Sequence, residues 1–393
     1  MTYPDLTRFG FELDDHHFEI REAMSRFADD RLLPGSADRD RTQEFPAELI
    51  DELAKLGGMA MKTSMEDDGP GLDNLGYALA VEAISRADAS VGVVMVASNL
   101  SAAIIAAHAN EDQKHRFLKP LARGERGAAS FALTEPHAGS DAAAIRTKAV
   151  QDGDHWTVSG SKQWITGASN AKIFVVFAKT PIETNDEAVT CFVVEAGTPG
   201  FSLGRSEDKM GLRSSGTAQL FFENCRVPAA NIIGEIGQGY RVALGALAPS
   251  RIAIAAQSIG IAERAFELGL DYARERQVFG HSVADFQNSR FVFADCRSEL
   301  DQAWLLKLRG ARLLDRGVHI RGEASMAKLV ASETCGRVVD RMLQLHGGNG
   351  YSREYEIERL YRDARVMRIF EGTSEVQREV IARDLLGSAT GPG

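Results

Sequence analysis

The chain is poor in cysteine, has no surplus of positive charge and lacks a glycine-rich nucleotide motif, and each scarcity removes a class of function. Its four cysteines (Cys191, Cys225, Cys296 and Cys335) are scattered over 393 residues with no CxxC pair. They read as buried, reduced thiols, with neither a disulfide framework nor a cysteine metal site. His16-His17 is the only paired histidine, and no further histidine or cysteine follows at ligand spacing, so no metal is expected. The net charge of −10 leaves too little lysine and arginine to neutralise phosphates, which argues against nucleic-acid binding. No apolar run is read as approaching the roughly 20 residues that span a bilayer. The N-terminal Met1-Thr2-Tyr3-Pro4-Asp5-Leu6-Thr7 has the pattern of neither a signal nor a transit peptide. A cytoplasmic protein without membrane contact is expected. Neither a G-x-G-x-x-G after a strand nor a P-loop is present, and there are no internal repeats or low-complexity tracts.

What is present falls into three textures. Up to about residue 128, Ala, Leu and charged residues dominate, with helices expected from Pro46, over Asn74 to Arg86 and over Ser90 to Ala109. From about 130 to 235 the pattern changes to short β-rich runs. Trp156-Thr157-Val158, Ile173-Phe174-Val175-Val176-Phe177, Cys191-Phe192-Val193-Val194 and Leu220-Phe221-Phe222 are the expected strands. Gly153, Gly160, Gly167, Asn170 and Gly200 are read as turns. This middle part predicts a small antiparallel sandwich or barrel. After Gly239, stripes such as Ile252, Ala255, Ala256, Ile259, Ala262 and Phe266 predict long helices packed in a bundle. An α–β–α order without βαβ alternation excludes a doubly wound nucleotide domain.

Several segments carry chemistry. Phe131-Ala132-Leu133-Thr134-Glu135-Pro136-His137-Ala138-Gly139-Ser140-Asp141 is a strand-like run ending in a turn whose Gly139-Ser140 permits close backbone approach. Trp164-Ile165-Thr166 pairs an indole face, suited to a flat conjugated ring, with a hydroxyl. Glu275-Arg276-Gln277-Val278-Phe279-Gly280 offers a cation for phosphate oxygens. In Ile369-Phe370-Glu371-Gly372-Thr373-Ser374 a carboxylate follows two apolar residues. Locally, Glu371 is either a glutamate complementing the dipole of a helix over Thr373 to Leu386 or a base whose pKa burial raises.

In their order and spacing, these segments together with Gln163-Trp164-Ile165-Thr166 and Tyr361-Arg362-Asp363-Ala364-Arg365 resemble the acyl-CoA dehydrogenase family over nearly the whole chain. The resemblance implies a multi-domain α+β fold. Its parts are an N-terminal α-helical domain (1–129), a middle antiparallel β-barrel (130–235) and a C-terminal four-helix bundle (236–393). It implies FAD as cofactor, with Phe131, Leu133, Thr134, Gly139, Ser140, Trp164, Ile165 and Thr166 around the ring and Thr373 and Glu375 also in contact. Arg276, Phe279 and Gln287, with Gln344, Gly347 and Gly348, would reach the pyrophosphate and adenosine from a neighbouring subunit of a homotetramer built as a dimer of dimers. Ser140, Arg251 and Gly372 would meet the acyl-CoA, and Glu371 would take the α-proton in fatty-acid β-oxidation, with an electron-transferring flavoprotein as acceptor.

The sequence departs from the family pattern at Ala248, where many members carry a pantetheine-binding aspartate, and at Glu66-Asp67-Asp68-Gly69-Pro70. Pro249-Ser250-Arg251 offers no rival carboxylate. Val91 to Ala97 is uncharged where relatives acting on dicarboxylic thioesters place an arginine, so the expected substrate is an uncharged, saturated, short to medium acyl chain. Two other readings are a flavin oxidase or oxygenase on the same scaffold and a flavin-free acyl-CoA-binding subunit. The intact Glu371 favours a dehydrogenase over the first, and Ala248 is the position that bears on the second.

Overall fold

The computed structural model describes residues 13–182, 185 and 187–387; the N-terminal segment from Met1 to Thr7 lies outside them. The chain begins with α1 (Asp15–Phe27), α2 (Ser36–Thr42), α3 (Ala47–Lys55), α4 (Asn74–Ala87), α5 (Ala89–His108), α6 (Glu111–Gln113) and α7 (Lys119–Ala122). Carboxylates punctuate it. The Asp73 side chain accepts from the Gly76 N–H at 2.7 Å and starts α4. Asp88 accepts from the Ser90 and Val91 N–H groups at 2.9 and 3.1 Å, so one apolar stretch becomes two helices.

Helix α5 corrects one expectation. Ala89–His108 carries no Asp, Glu, Lys or Arg, and with α8 (Gly239–Glu275) it is long and apolar enough to cross a membrane by length and composition. In this fold 83% of its most apolar window is buried, because α4, α8 and strand β1 (Ala129–Ala132) pack around it. A helix apolar on all sides is a core helix when protein covers it.

The middle region forms one eight-stranded sheet. Its strands are β1, β2 (Lys148–Asp152), β3 (His155–Ile165), β4 (Ile173–Lys179), β5 (Val189–Glu195), β6 (Phe201–Ser206), β7 (Ala218–Pro228) and β8 (Ile232–Ile233). The ladder order is β6-β7-β3-β2-β4-β5-β8, with β1 beside β4. Pairing is antiparallel except that β1 runs parallel to β4 and Lys148 meets Lys179 in parallel. The four expected strands lie in β3, β4, β5 and β7. Both faces of β4 and β5 are buried: Phe174, Val176, Phe192 and Val194 join the sheet core, while Ile173, Val175, Phe177 and Val193 join the helical core. That double burial is why these two strands read as unbroken apolar runs. Gly160 is a correction, since it sits inside β3 at a register shift. Its φ is 144° and an added Cβ would lie 2.6 Å from Thr147 Oγ1, so the site is a close approach of two strands and not a turn.

Helices α8, α9 (Gln287–Asp315), α10 (Arg321–Leu345) and α12 (Ser374–Leu386) form the C-terminal bundle, with α11 (Glu356–Ala364) at its side and α10 packed on α8, α9, α11 and α12. A hairpin of β9 (Gln277–Val278) and β10 (His281–Ser282) separates α8 from α9.

Candidate active site

Two segments of the sheet are brought together by specific bonds. The Gln163 N–H donates to the Thr134 carbonyl at 2.9 Å, and the Ser130 hydroxyl donates to the Thr166 carbonyl at 2.7 Å. Beneath them Lys162 Nζ, fully buried, donates to Glu135 Oε1 at 2.7 Å and to the Leu133 carbonyl at 3.1 Å. Glu135 also accepts from the Arg146 and Thr147 N–H groups at 2.6 and 3.0 Å. Burial works against its charge, but Lys162 and these donors outweigh burial and hold the carboxyl below its usual range. Neither Lys162 nor Glu135 stood out in the sequence as a positioning group. The clamp lies at the end of β3, where a register shift falls between Lys162 and Ile165. Trp164 there adopts φ 62° and its indole is 54% exposed, a conformation that costs a bulky residue of the order of 1–3 kcal/mol and persists only when its surroundings enforce it. The Thr134 and Thr166 hydroxyls have no protein partner among the described residues. An outward indole beside two free hydroxyls fits a flat conjugated ring with hydrogen-bonding edges. Phe131, Leu133 and Ile165 lie on the same two segments, and Gly139 and Ser140 occupy the exposed turn that follows.

The carboxylate lies between helices. A 3-10 turn, Arg365–Arg368, ends ahead of it, and α12 begins only at Ser374, with Thr373 as N-cap accepting from the Val376 N–H at 3.3 Å. Glu371 therefore precedes the cap, and the helix-terminus reading passes to Glu375, whose charge is favoured by its own N–H and by Thr373. Thr373 and Glu375 thus have capping duties in this structure. Glu371 has φ 54° and Gly372 φ 90°. The bend is pinned through its carbonyls: Gln377 Nε2 donates to the carbonyls of Glu371 and Gly372 at 3.1 and 2.8 Å, and Lys328 Nζ donates to that of Gly372 at 2.8 Å. Gln377 and Lys328 were not found by sequence reasoning, since nothing local marks them. The Glu371 N–H has no protein acceptor among the described residues.

Burial raises the Glu371 carboxyl from 4.5 to about 7, against the opposing pull of Arg251 and Lys328. Its Oε2 is buried without a hydrogen-bond partner; the Ser250 hydroxyl lies close enough to favour the carboxylate's charge but makes no well-formed bond of its own. Arg251 is held by Ser325 Oγ at 3.0 Å through Nη1, while its buried Nε is unpartnered. Beside these groups a cavity of about 320 Å³ opens between α4, α5 and α8, walled by Tyr77, Val96, Leu100, Ile104, Pro249 and Ser250. Tyr77 feels the Glu371 charge, which together with burial pushes its phenol upward.

The remaining expected residues lie at one end of the bundle. Arg276 caps α8, Phe279 sits in the β9–β10 turn with φ 50° and is 94% exposed, and Gln287 opens α9. Gln344 and Gly347-Gly348 follow at the end of α10, and His346 stacks on Tyr272 of α8 at 4.2 Å. Among the described residues no hydrogen bond, ion pair or ring contact joins this group to Trp164 or Glu371. Asp14, His16 and His17 cluster at metal-ligand distances, but both ring nitrogens of His17 are used, one by the Asp14 N–H and one by Asp73.

Residues 14–125, 130–225 and 237–386 match the N-terminal, middle and C-terminal domains of acyl-CoA dehydrogenase, respectively. The mouse mitochondrial short-chain specific acyl-CoA dehydrogenase is 42% identical over 96% of this chain and 92% of its own length. The chain belongs to the acyl-CoA dehydrogenase family. Among solved structures, butyryl-CoA dehydrogenase from Megasphaera elsdenii is 38% identical with a TM-score of 0.93, covering 96% of this chain and 99% of that one. A chain solved in work on the electron transferring flavoprotein of Acidaminococcus fermentans gives a TM-score of 0.94 at 38% identity, covering 96% and 100%. The acyl-CoA dehydrogenase fold accounts for the helical, sheet and helical parts in that order, and membership makes this chain an oxidoreductase of a flavoprotein family.

Proposed function

We propose that Glu371 is the base of this acyl-CoA dehydrogenase, removing the α-proton of a saturated acyl-CoA thioester as the β-hydrogen leaves to give the trans-2-enoyl product. The observation that carries the reading is the carboxyl itself: raised to about 7 by burial, with one oxygen unpartnered, beside the Ser250 that lines an apolar cavity. A base titrating near neutrality is ionised enough to act and basic enough to pull a weakly acidic proton. The free Glu371 N–H suits the thioester carbonyl as negative charge develops there, and the carbonyl pins from Gln377 and Lys328 keep that donor aimed. Lys328 and Arg251 place positive charge beside the base and keep its ionised form accessible despite burial.

Trp164, Thr134 and Thr166 would hold FAD, the indole covering the ring and the hydroxyls meeting its polar edge. Bound FAD supplies the acceptor for two electrons and the β-hydrogen. In this reading the domains divide at 129/130 and 235/236. The cofactor's far end is held across a subunit interface of a homotetramer by Arg276, Phe279, Gln287, Gln344, Gly347 and Gly348. Supporting this, Phe279 and Tyr351 are 94% and 91% exposed, surfaces that an interface would cover. The likeness to the chain from the Acidaminococcus fermentans work supports an electron-transferring flavoprotein as the electron acceptor. An anaerobic titration of the purified protein with acyl-CoA thioesters tests the whole proposal: flavin bleaching is expected, and a flavin-free protein or one that no thioester bleaches would refute it.

A further inference from the structure

Lys62 stands at the wall of the acyl cavity without an anion. It also lines a second, adjoining cavity of about 380 Å³. Its backbone is clipped to α5: the Met61 N–H donates to Asn99 Oδ1 at 2.7 Å, Asn99 Nδ2 donates to the carbonyls of Gly58 and Met95 at 2.8 and 2.9 Å, and the Ser98 hydroxyl donates to that of Met59 at 2.9 Å. The lysine's place is thus built and not accidental. Its ammonium has one long contact, to Asn74 Oδ1 at 3.3 Å, and lies 5.4 Å from the Tyr77 ring centroid. Asn74 is itself committed, donating twice to Asp315. Among the described residues no carboxylate lies within ion-pair distance of Lys62, whereas the buried Lys162 has Glu135 and the buried Lys307 has Glu82. Burial lowers the Lys62 ammonium pKa, and Asp315 opposes this only by its field. An ammonium beside an apolar cavity, with donors to spare, is an unmet demand for an acceptor. Ser250, on the same cavity wall, marks the Glu371 end, and Lys62 stands where this cavity meets the second one, which Ser250 does not line.

We propose that Lys62 determines substrate choice by pairing with a carboxylate at the far end of the acyl chain, so that the preferred thioesters are those of dicarboxylic acids. The inference rests on the acyl chain occupying the cavity beside Glu371. It replaces the uncharged tail expected from Val91 to Ala97: the positive charge comes from the loop before α4 and not from α5. A site whose half-buried donor meets a charged acceptor favours it over a methyl terminus by about ten- to a hundredfold.

The test uses matched thioesters on the flavin-loaded enzyme, hexanoyl-CoA against adipyl-CoA and pentanoyl-CoA against glutaryl-CoA, with the wild type, Lys62→Met and Lys62→Arg. The wild type should favour the dicarboxylic member of at least one pair. Lys62→Met should lower kcat/KM for that member by about ten- to a hundredfold, keep or improve its turnover of the methyl-terminated partner, and so show that it is folded. Lys62→Arg should retain most of the preference. An unchanged ratio in Lys62→Met, or a wild type that rejects both dicarboxylic thioesters while oxidising the others, would overturn the role of Lys62 and leave the dehydrogenase reading standing. A wild type bleached by none of the four would overturn that reading as well.

Discussion

Replacing Glu371 by glutamine separates the base from the fold in a way that can be measured twice. The carboxyl lies at about 7 in the folded protein against 4.5 ordinarily. That difference means the ionised form costs the fold about 3 kcal/mol at roughly 1.4 kcal/mol per pH unit. The sign follows from linkage: a carboxyl whose pKa is raised on folding contributes fully below about pH 4.5, and its contribution is lost as pH rises through about 7. Glu371→Gln removes that loss. The variant should therefore match the wild type near pH 4.5 and become more stable by up to about 3 kcal/mol above pH 8. Lys328 loses an opposing charge in the same variant, so the gain should fall at or below that figure. Denaturant unfolding of both proteins at several pH values reads it directly. Catalysis should move the other way, with flavin still bound and the rate of reduction by acyl-CoA lower by about 10²- to 10⁴-fold. A stability difference that does not vary with pH, or retained flavin reduction, would refute the assignment.

Three further outcomes follow from the same geometry. The kcat/KM of the wild type should fall as pH drops through about 7, where Glu371 gains its proton, and a pH–rate profile lacking that limb would contradict a single ionised base. Lys162→Met leaves Glu135 buried without its cation and should destabilise by about 3–5 kcal/mol; thermal unfolding checks this, and a change under about 1 kcal/mol would show that the clamp contributes little. Gly372→Ala places a Cβ 2.5 Å from Gln377 Nε2 at φ 90° and should cost about 1–3 kcal/mol, with slower flavin reduction if the bend aims the Glu371 N–H.

The candidate site was legible in parts. Trp164, Thr166, Thr134 and Glu371 could be named because each belongs to a local motif. Their positions relative to one another could not, since Gln163 bonding to Thr134 joins positions 29 residues apart in the chain. Ala89–His108 is legible as a helix, but only its burial by α4 and α8 makes that charge-free length a core element. Gly160 was misread because a turn glycine and a glycine admitting a neighbouring strand look the same in one sequence; Thr147 decides between them.

By itself, the sequence determined the helical periodicities, the β-rich middle with its apolar runs, and a short set of chemical candidates, because those depend on residues within a few positions of one another. Only the tertiary structure decided which candidates are poised to act. The raised carboxyl of Glu371 arises from burial among α4, α8 and α10. Its bend is held by Lys328 and Gln377, and the Trp164 conformation follows two residues after the buried Lys162–Glu135 pair. Lys62, unremarked among the residues before α4, became notable only as an ammonium at a cavity wall with no anion. Desolvation, strain and unmet hydrogen bonds belong to what surrounds a side chain in space, and here those surroundings come from distant parts of the chain.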